Sequence, residues 1–345
     1  MKVLITGGAG FIGSHAAEYY SKKSDEVVIL DNLSRWKMLG EEVGAPTFNW
    51  DYLKKLKNVK LIKGDVRKPE DLKTAAKGSN AIIHTAAQVA VRTSINDPQL
   101  DFDVNALGTF NVLEAARQND SSVVYCSTNK VYGDNVNKVP VAEGRRRYIF
   151  ADKKYKNGIP EDFPVDRTWH TPYGCSKLVG DIYMQDYSHT YGLKTGVFRM
   201  SCIYGARQFG VEEHGWIAWL TLATKLKKKI KIYGDGKQVR DVLYVEDLVR
   251  AFDKFLRSGP KHEVFNMGGG VKNTLSLLEL VDLLERVTGQ KPKISFADWR
   301  PADQKVYISD TTKAQKILGW KPAVSPEEGV AKLDGWMSEN IGLFE

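Results

Sequence analysis

Short apolar segments and helical patterns alternate along the N-terminal half of the chain. Segments rich in β-branched or apolar residues favour strands at Val3–Ile5, Val27–Leu30, Val59–Ile62, Ala81–His84 and Val123–Cys126. Helical patterns separate them at Ile12–Tyr20, Pro69–Ala76 and Leu107–Gln118. A further strand is expected at Leu193–Arg199, after a helix that begins near Tyr173. This alternation predicts a doubly wound parallel α/β sheet with helices on both faces.

A glycine-rich turn lies between the first strand and the first helix. Gly7, Gly10 and Gly13 form GxxGxxG, a spacing that allows a tight turn and a close approach of backbone to a pyrophosphate. The helix N-terminus then offers N–H groups and a positive dipole to the phosphates. The second strand ends at Asp31, whose carboxylate can accept ribose hydroxyls, which favours NAD over NADP. Arg35 follows closely and can tolerate a 2′-phosphate.

These features indicate a Rossmann domain with a second, smaller part. We expect the dinucleotide-binding domain to comprise residues 1–200, with a segment near 237–265 returning to it. Residues 201–236 and 266–345 are expected to form an α+β lobe that binds substrate. From Ser201 onward, strands are predicted at Ile230–Tyr233, Glu263–Asn266 and Lys293–Phe296, and helices at Leu248–Leu256, Leu275–Thr288 and Thr312–Leu318. The charged segment 134–170 lacks periodicity, as is typical of lids or binding loops.

A Tyr-x-x-x-Lys pair supplies the candidate reacting groups. Tyr173 and Lys177 share one face of a helix. A nearby ammonium and a positive nicotinamide favour the phenolate, which can then take a proton from a sugar hydroxyl. Thr128 ends the fifth strand and can share that proton. The alternatives are a helix-surface pair for Tyr173 and Lys177 and a backbone cap for Thr128.

Composition narrows the class of protein. The chain has 345 residues and 42% hydrophobic residues, enough to bury a sizeable core. Its three cysteines have no CxxC spacing and its six histidines no metal-ligand spacing, so we expect a cytoplasmic protein without a metal. The net charge of +8 suits either nucleic acid or an anionic small molecule. No membrane segment is expected.

The motifs resemble those of the extended short-chain dehydrogenase/reductase family of NAD-dependent nucleotide-sugar epimerases and dehydratases. The resemblance runs essentially end to end and includes TGGAGFIGSH at Thr6–His15, DNLSR at Asp31–Arg35, GDVR at Gly64–Arg67, HTAAQVAV at His84–Val91, NALGTFNVLEAAR at Asn105–Arg117, YGCSK at Tyr173–Lys177 and YGDGKQVRDVLYVEDL at Tyr233–Leu248. Within the family, STNKVYGD at Ser127–Asp134, HTPYGCSK at His170–Lys177 and SCIYGARQFG at Ser201–Gly210 are most similar to the C2-epimerases of CDP-sugars.

The resemblance implies further cofactor contacts. It places Ala86, Gln88 and Asn105 along the cofactor groove, and Ser201 and Ile203 near the nicotinamide. Asp65 and Val66 are expected to contact the adenine, with a simple turn as the alternative. Together, the residues expected to bind NAD are Gly7, Gly10, Phe11, Ile12, Gly13, Asp31, Asn32, Ser34, Arg35, Asp65, Val66, Ala86, Ala87, Gln88, Asn105, Ser127, Tyr173, Lys177, Ser201 and Ile203.

The resemblance also implies the substrate contacts. Arg240 and Arg300 match family positions that contact nucleotide phosphates, and Arg207 is a third candidate; surface ion pairs are the alternative for all three. Gln88, Thr128 and Asn129 are expected at the sugar, although Asn129 equally suits a turn. Sugar-nucleotide 4,6-dehydratases carry an Asp-Glu pair after the strand-end threonine. The chain has Asn129 and Lys130 there, which disfavours dehydration.

The implied activity is epimerisation at C2 of a CDP-sugar, from CDP-paratose to CDP-tyvelose or on a related CDP-hexose, by transient oxidation and return of the hydride. The nearest alternative is a 4-epimerase of UDP-hexoses on the same scaffold. An alternative of another class is a non-catalytic NAD-binding regulator or a nucleic-acid binder. Family members are usually dimers or tetramers, so a homo-oligomer is expected.

Overall fold

The alternation of strands and helices is present in the computed structural model, which describes residues 1–39, 47–212, 214–300 and 303–344. In these ranges the strands are β1 (Lys2–Thr6), β2 (Glu26–Asp31), β3 (Val59–Lys63), β4 (Ala81–His84), β5 (Ser122–Thr128), β6 (Val141–Glu143), β7 (Tyr148–Phe150), β8 (Thr195–Met200), β9 (Cys202–Tyr204), β10 (Lys229–Tyr233), β11 (Val239–Tyr244), β12 (His262–Met267), β13 (Thr274–Ser276), β14 (Lys293–Ala297) and β15 (Val306–Tyr307).

The α-helices are α1 (Phe11–Lys22), α2 (Arg35–Leu39), α3 (Phe48–Leu53), α4 (Pro69–Ala75), α5 (Val91–Asn96), α6 (Pro98–Phe102), α7 (Gly108–Asn119), α8 (Pro172–Tyr191), α9 (Trp216–Lys225), α10 (Val245–Ser258), α11 (Leu277–Thr288), α12 (Thr312–Leu318) and α13 (Pro326–Glu339). A π-helical turn at Asp103–Leu107 joins α6 to α7. In the described part of the chain, no helix is both long and apolar enough to cross a bilayer.

The central sheet has seven strands in the order β12-β8-β5-β4-β1-β2-β3, and every neighbouring pair is parallel. Val3 and Ile5 of β1 face one buried cluster and Leu4 faces the other. Helices α1 and α10 cover the first face, and α4, α7 and α8 cover the second. The doubly wound parallel sheet predicted from the sequence is therefore confirmed.

The lobe has its own core. Strands β10 and β14 form a parallel pair, and β11 joins β13, β15 and β9 in a second small sheet. Helices α9, α11 and α13 pack with these strands around Ile230, Val242, Leu280 and Leu333. The predicted helix Leu275–Thr288 begins two residues later, at Leu277. Its first residues are part of β13, and Ser276 forms a capping box with Glu279.

The chain crosses between the two parts more than once. Strand β12 returns to the edge of the central sheet beside β8. Ala314, Leu318 and Trp320 lie in the core under that sheet, although the predicted division assigns residues 266–345 to the lobe. Strand β11, at the start of the predicted returning segment, pairs with lobe strands instead. The division of the chain into two domains stays a prediction.

The segment 134–170 packs against the lobe. Strands β6 and β7 form an antiparallel hairpin, and Tyr148 of β7 packs with Val239 and Val306. The guanidinium of Arg147 donates to the Glu279 carboxylate, and its Nη1 lies 3.0 Å from Thr274 Oγ1. The segment thus combines a short hairpin with contacts to the lobe.

Candidate active site

A cleft with a volume of about 850 Å³ lies between the carboxyl ends of the central strands and the lobe. Strand order changes direction between β1 and β4, and open α/β sheets bind ligands outside the strand ends at such a point. The predicted residues that line the cleft are Gly7, Gly10, Phe11, Ile12, Gly13, Asp31, Asn32, Ser34, Arg35, Asp65, Val66, Ala86, Ala87, Gln88, Ser127, Thr128, Asn129, Tyr173, Ser201, Ile203, Arg207, Arg240 and Arg300.

The glycine turn leaves space that side chains would fill. Gly7 has φ +68°, and a Cβ there would lie 2.6 Å from the backbone of Ala86. A Cβ on Gly13 would lie 2.4 Å from the carbonyl oxygen of Gly7. Helix α1 begins at Phe11 without a side-chain cap and with no acidic residue in its first turn. Its N–H groups therefore face the cleft free of side-chain acceptors, as a dinucleotide pyrophosphate requires.

Asp31 is fixed at the end of β2 by backbone groups. Its carboxylate accepts hydrogen bonds from the N–H of Ala9 at 2.9 Å and of Leu33 at 2.8 Å. Burial raises the pKa of this carboxyl, and the two backbone bonds oppose the shift. Each oxygen keeps a free lone pair, so the group can still accept ribose hydroxyls. The glycine turn and Asp31 together fit a dinucleotide such as NAD.

Arg35 connects the first domain to the lobe. Its Nη2 donates to the carbonyl oxygen of Phe209 at 3.0 Å, and its guanidinium lies 5.0 Å from the centroid of the Trp36 ring. Burial lowers the pKa of Arg35 to about 10. These contacts hold the side chain toward the lobe, so its position does not depend on a 2′-phosphate.

The predicted reacting groups meet in the cleft. Thr171 caps helix α8 by accepting from the N–H of Gly174 at 3.3 Å, which fixes the first turn, where Tyr173 lies. The Tyr173 side chain lies beside Thr128, at the end of β5, and both residues line the cleft. Burial raises the pKa of Tyr173 to about 12, although the nearby Thr128 hydroxyl opposes the shift. The protein alone therefore does not produce the phenolate expected from the sequence.

Lys177 lies one turn deeper. Its side chain is 2% exposed, and Nζ lies 4.2 Å from the centroid of the Tyr125 ring. Burial lowers the pKa of Lys177 to about 8. The ammonium thus stands behind Tyr173, against the sheet, and does not line the cleft wall. Its contact with a nicotinamide ribose stays a prediction.

Gln88 and Asn105 form an internal network. Gln88 Nε2 donates to Asp101 Oδ1 at 2.8 Å and to the carbonyl of Ala90 at 2.9 Å. Asn105 Nδ2 donates to Ser176 Oγ and to the carbonyl of Gln88, and its oxygen accepts from the Gln88 N–H at 2.9 Å. Both side chains are 1% exposed, and Asn105 does not line the cleft. Both amides are thus bonded within the protein and shape the loop after β4. Their contacts with a ligand stay predictions.

The three candidate arginines differ in their partners. Arg207 pairs with Glu18 of α1 at 2.7 Å and is 8% exposed, so its charge is already compensated inside the protein. The guanidinium of Arg300 lies 3.8 Å from the centroid of the Tyr233 ring. Arg240 donates to the carbonyl of its neighbour Val239 at 2.8 Å. Arg240 and Arg300 thus stand on the lobe side of the cleft, and Arg207 joins the loop after β9 to α1.

Comparisons with known proteins agree with this geometry. A family model described as GDP-mannose 4,6 dehydratase matches residues 4–333. The chain is 40% identical to the CDP-paratose 2-epimerase of Salmonella typhi over 98% of this chain and 99% of that protein. It belongs to the family of NAD-dependent epimerases and dehydratases. The membership predicted from the motifs is confirmed.

Solved structures show the same fold. The UDP-glucose 4-epimerase of Thermotoga maritima with UDP-glucose has a TM-score of 0.81 at 28% identity and covers 99% of this chain and 100% of that one. The UDP-glucose 4-epimerase of Thermus thermophilus in complex with NAD has a TM-score of 0.77 at 30% identity, with 98% and 99% covered. The Rossmann sheet with a smaller lobe is thus common to this chain and these epimerases.

In this member of the family, the cleft holds polar residues that the motifs did not single out as ligand contacts. Lys130 lines the cleft, and burial lowers its pKa to about 8, with the charge of Arg240 acting in the same direction. Gln304 is 2% exposed and lies 3.4 Å from the side chain of Asn129. Asp303 also lines the cleft. The position of Lys130, two residues after Thr128, is the sequence feature that could have indicated its place in the cleft. The sequence around residues 303–304 has no pattern that indicates a site.

Proposed function

We propose that this protein epimerises C2 of a CDP-linked sugar, from CDP-paratose to CDP-tyvelose or on a related CDP-hexose, with NAD as its cofactor. The observation that carries the proposal is the 40% identity to a CDP-paratose 2-epimerase over essentially the whole of both chains. Related 4-epimerases of UDP-sugars have identities of 28% to 33%. The assignment of cytidine as the base and of C2 as the reacting carbon rests on this difference in identity.

The residues after Thr128 support epimerisation over dehydration. Elimination of water needs a carboxylic acid to protonate the leaving hydroxyl. Asn129 and Lys130 occupy the two positions where related dehydratases carry an acidic pair, and Asn129 is held by Gln304 at 3.4 Å. Neither position offers a carboxyl proton, so proton exchange with a sugar hydroxyl falls to Tyr173.

The geometry gives Tyr173 and Thr128 one task. The Tyr173 oxygen removes the proton of the C2 hydroxyl, and the neighbouring Thr128 hydroxyl orients the two oxygens. NAD⁺, when bound, supplies the acceptor and later the donor of the hydride, and its positive charge favours the phenolate. The sugar then turns within the cleft, and Tyr173 returns the proton to the C2 oxygen of the epimer. The enzyme therefore needs room around the sugar and a firm hold on the nucleotide.

An NMR time course with sugars deuterated at C2 tests the proposal. Purified protein is incubated with CDP-hexose and, separately, with UDP-hexose, and the Tyr173→Phe variant is run in parallel. The expected result is a C2 epimer from the CDP-sugar that keeps its deuterium, and none from the variant. Replacement of the deuterium by solvent hydrogen would overturn the hydride-return step.

The alternative activity is tested in the same experiment. A UDP-hexose 4-epimerase is favoured by the fold shared with two enzymes of that name. Appearance of a C4 epimer from the UDP-sugar, with the CDP-sugar unchanged, would overturn the C2 and cytidine assignments together and leave the family assignment intact.

The predicted homo-oligomer has a candidate surface. Phe110 of α7 and Tyr183 of α8 are 41% and 44% exposed and lie edge to face, 6.3 Å apart. Phe102 of α6 and Ile182 of α8 are also exposed, at 53% and 52%. Exposed apolar side chains on neighbouring helices are typical of an interface between protein chains. Sedimentation equilibrium of the protein and of Tyr183→Glu tests this, since a dimer would be weakened by the introduced charge.

A further inference from the structure

Two positive side chains from different parts of the fold line the same cleft. Lys130 follows β5 and Arg240 belongs to β11, and both line the cavity. They are near enough for the charge of Arg240 to disfavour the protonated form of Lys130. Within the described ranges, neither forms an ion pair, and the one side-chain hydrogen bond of Arg240 goes to its neighbour Val239. The negative charge of Asp303 raises the pKa of Lys130, but burial and the charge of Arg240 together lower it by more.

Such a pair is unfavourable in the empty protein. Partial burial removes water from the Lys130 ammonium, and the like charge of Arg240 repels it. An anion bound between them reverses both effects, because it attracts each cation and replaces the lost water contacts. The arrangement is therefore that of an anion site, one cation of which, Arg240, was already expected to contact a phosphate.

The position of Lys130 identifies which anion. Its backbone N–H donates to Thr128 Oγ1 at 3.3 Å, so the residue stands directly beside the reacting centre. In a nucleotide sugar, C2 is adjacent to C1, and C1 carries the phosphate. An anion that lies between the reacting centre and Arg240 is thus the phosphate attached to the sugar.

We propose that Lys130, together with Arg240, binds the sugar-proximal phosphate of the nucleotide sugar. The inference rests on the proposed function, because it takes a nucleotide-activated sugar as the substrate. This phosphate is the pivot about which the sugar turns between the two proton transfers. Lys130 keeps the pivot fixed while C2 presents first one face and then the other. Lys130, which stands where related dehydratases carry a glutamate, thus binds phosphate in this protein.

Binding of nucleotides with and without that phosphate tests the inference. CDP carries the sugar-proximal phosphate and CMP lacks it. Titration calorimetry compares both on the full-length protein, on Lys130→Met and on Lys130→Arg. Lys130→Met is expected to weaken CDP binding roughly 10- to 100-fold and to leave CMP binding unchanged. Lys130→Arg keeps the charge and is expected to retain most of the preference for CDP. The matched control, Lys156→Met, changes an exposed lysine outside the cleft and should alter neither affinity.

The outcomes separate this inference from the proposed function. Equal losses for CDP and CMP, or no loss for either, would overturn the role of Lys130. Thermal unfolding of each variant shows whether a loss comes from misfolding, in which case Lys130→Arg decides. The same titrations with UDP and UMP test whether the protein binds cytidine or uridine nucleotides. If UDP and UMP bind while CDP and CMP do not, and Lys130→Met weakens only UDP binding, the phosphate site is supported and the cytidine assignment is wrong. If neither diphosphate binds the wild-type protein, the phosphate site is overturned.

Discussion

Arg199 and Asp181 form two parallel hydrogen bonds, from Nε to Oδ2 and from Nη2 to Oδ1, both 2.9 Å long. The side chains are 6% and 0% exposed. Ser127, the residue before Thr128, donates its hydroxyl to the same carboxylate at 2.7 Å. Asp181 is in α8, two turns after Tyr173. The pair therefore fixes the helix that carries the candidate base against the two strands at the centre of the site.

Asp181→Asn is expected to destabilise the protein strongly. Removing one partner of a buried ion pair leaves an uncompensated charge and costs about 3–5 kcal/mol. Urea unfolding measures this loss. Glu328→Gln, which breaks the exposed pair with Lys332, should cost far less, since water screens it. Similar losses from both changes would show that the buried pair does not hold the site together.

Tyr173→Phe is expected to lower kcat by about 10²–10⁴-fold, the usual contribution of a positioned acid or base. Thr128→Val should cause a smaller loss, because it removes only the partner hydroxyl. Tyr183→Phe, an exposed tyrosine on the same helix, serves as the control. The assay follows the epimerisation by NMR, with NAD binding measured separately. Substantial activity in Tyr173→Phe would place the base elsewhere.

Gly13→Ala is expected to abolish NAD binding, because the new Cβ would lie 2.4 Å from the Gly7 carbonyl oxygen and displace the glycine turn. Gly335→Ala in α13 is the matched helical control, since nothing lies within 4 Å of its Cβ position. There the substitution should stabilise the helix by about 0.5–1 kcal/mol. Fluorescence titration with NADH measures the first effect and urea unfolding the second. Normal NADH affinity in Gly13→Ala would contradict the assigned cradle.

Stability should fall as the solution becomes acidic, well before carboxylates are protonated. Burial lowers the pKa of His15 and His84 to about 3, from 6.5. Below pH 6.5 each of these histidines is protonated in the unfolded chain but stays neutral in the folded protein. Each therefore lowers the free energy of unfolding by on the order of 1–2 kcal/mol at pH 5. The folded state recovers this stability above pH 6.5.

A histidine variant checks the sign. His15 Nε2 lies 2.7 Å from the Ala206 carbonyl oxygen, which a glutamine amide can also reach. Urea unfolding at pH 7 and pH 5 should show a smaller difference for His15→Gln than for the wild type. His189→Gln, at an exposed position, should keep the wild-type difference. An unchanged difference in His15→Gln would mean that His15 is not the group responsible.

The sequence by itself determined the sheet, the glycine turn and the place of Tyr173 and Lys177 on one helix. These follow from local rules, because β-branched runs, glycine spacing and helical periodicity act over a few residues. Strand Ala81–His84, for example, has the same bounds in the prediction and in the structure. The family followed from the same local motifs.

Only the tertiary structure decided where the side chains after the strands point. Gln88 and Asn105 turn inward because Asp101 and Ser176 offer them buried partners. Arg207 pairs with Glu18, 189 residues away in the chain. Lys130, in the turn after β5, becomes part of a proposed anion site only because the fold brings Arg240 of β11 into the same cleft. A loop side chain takes the direction in which its charge or amide is satisfied, and that partner is set by the folded chain rather than by its sequence neighbours.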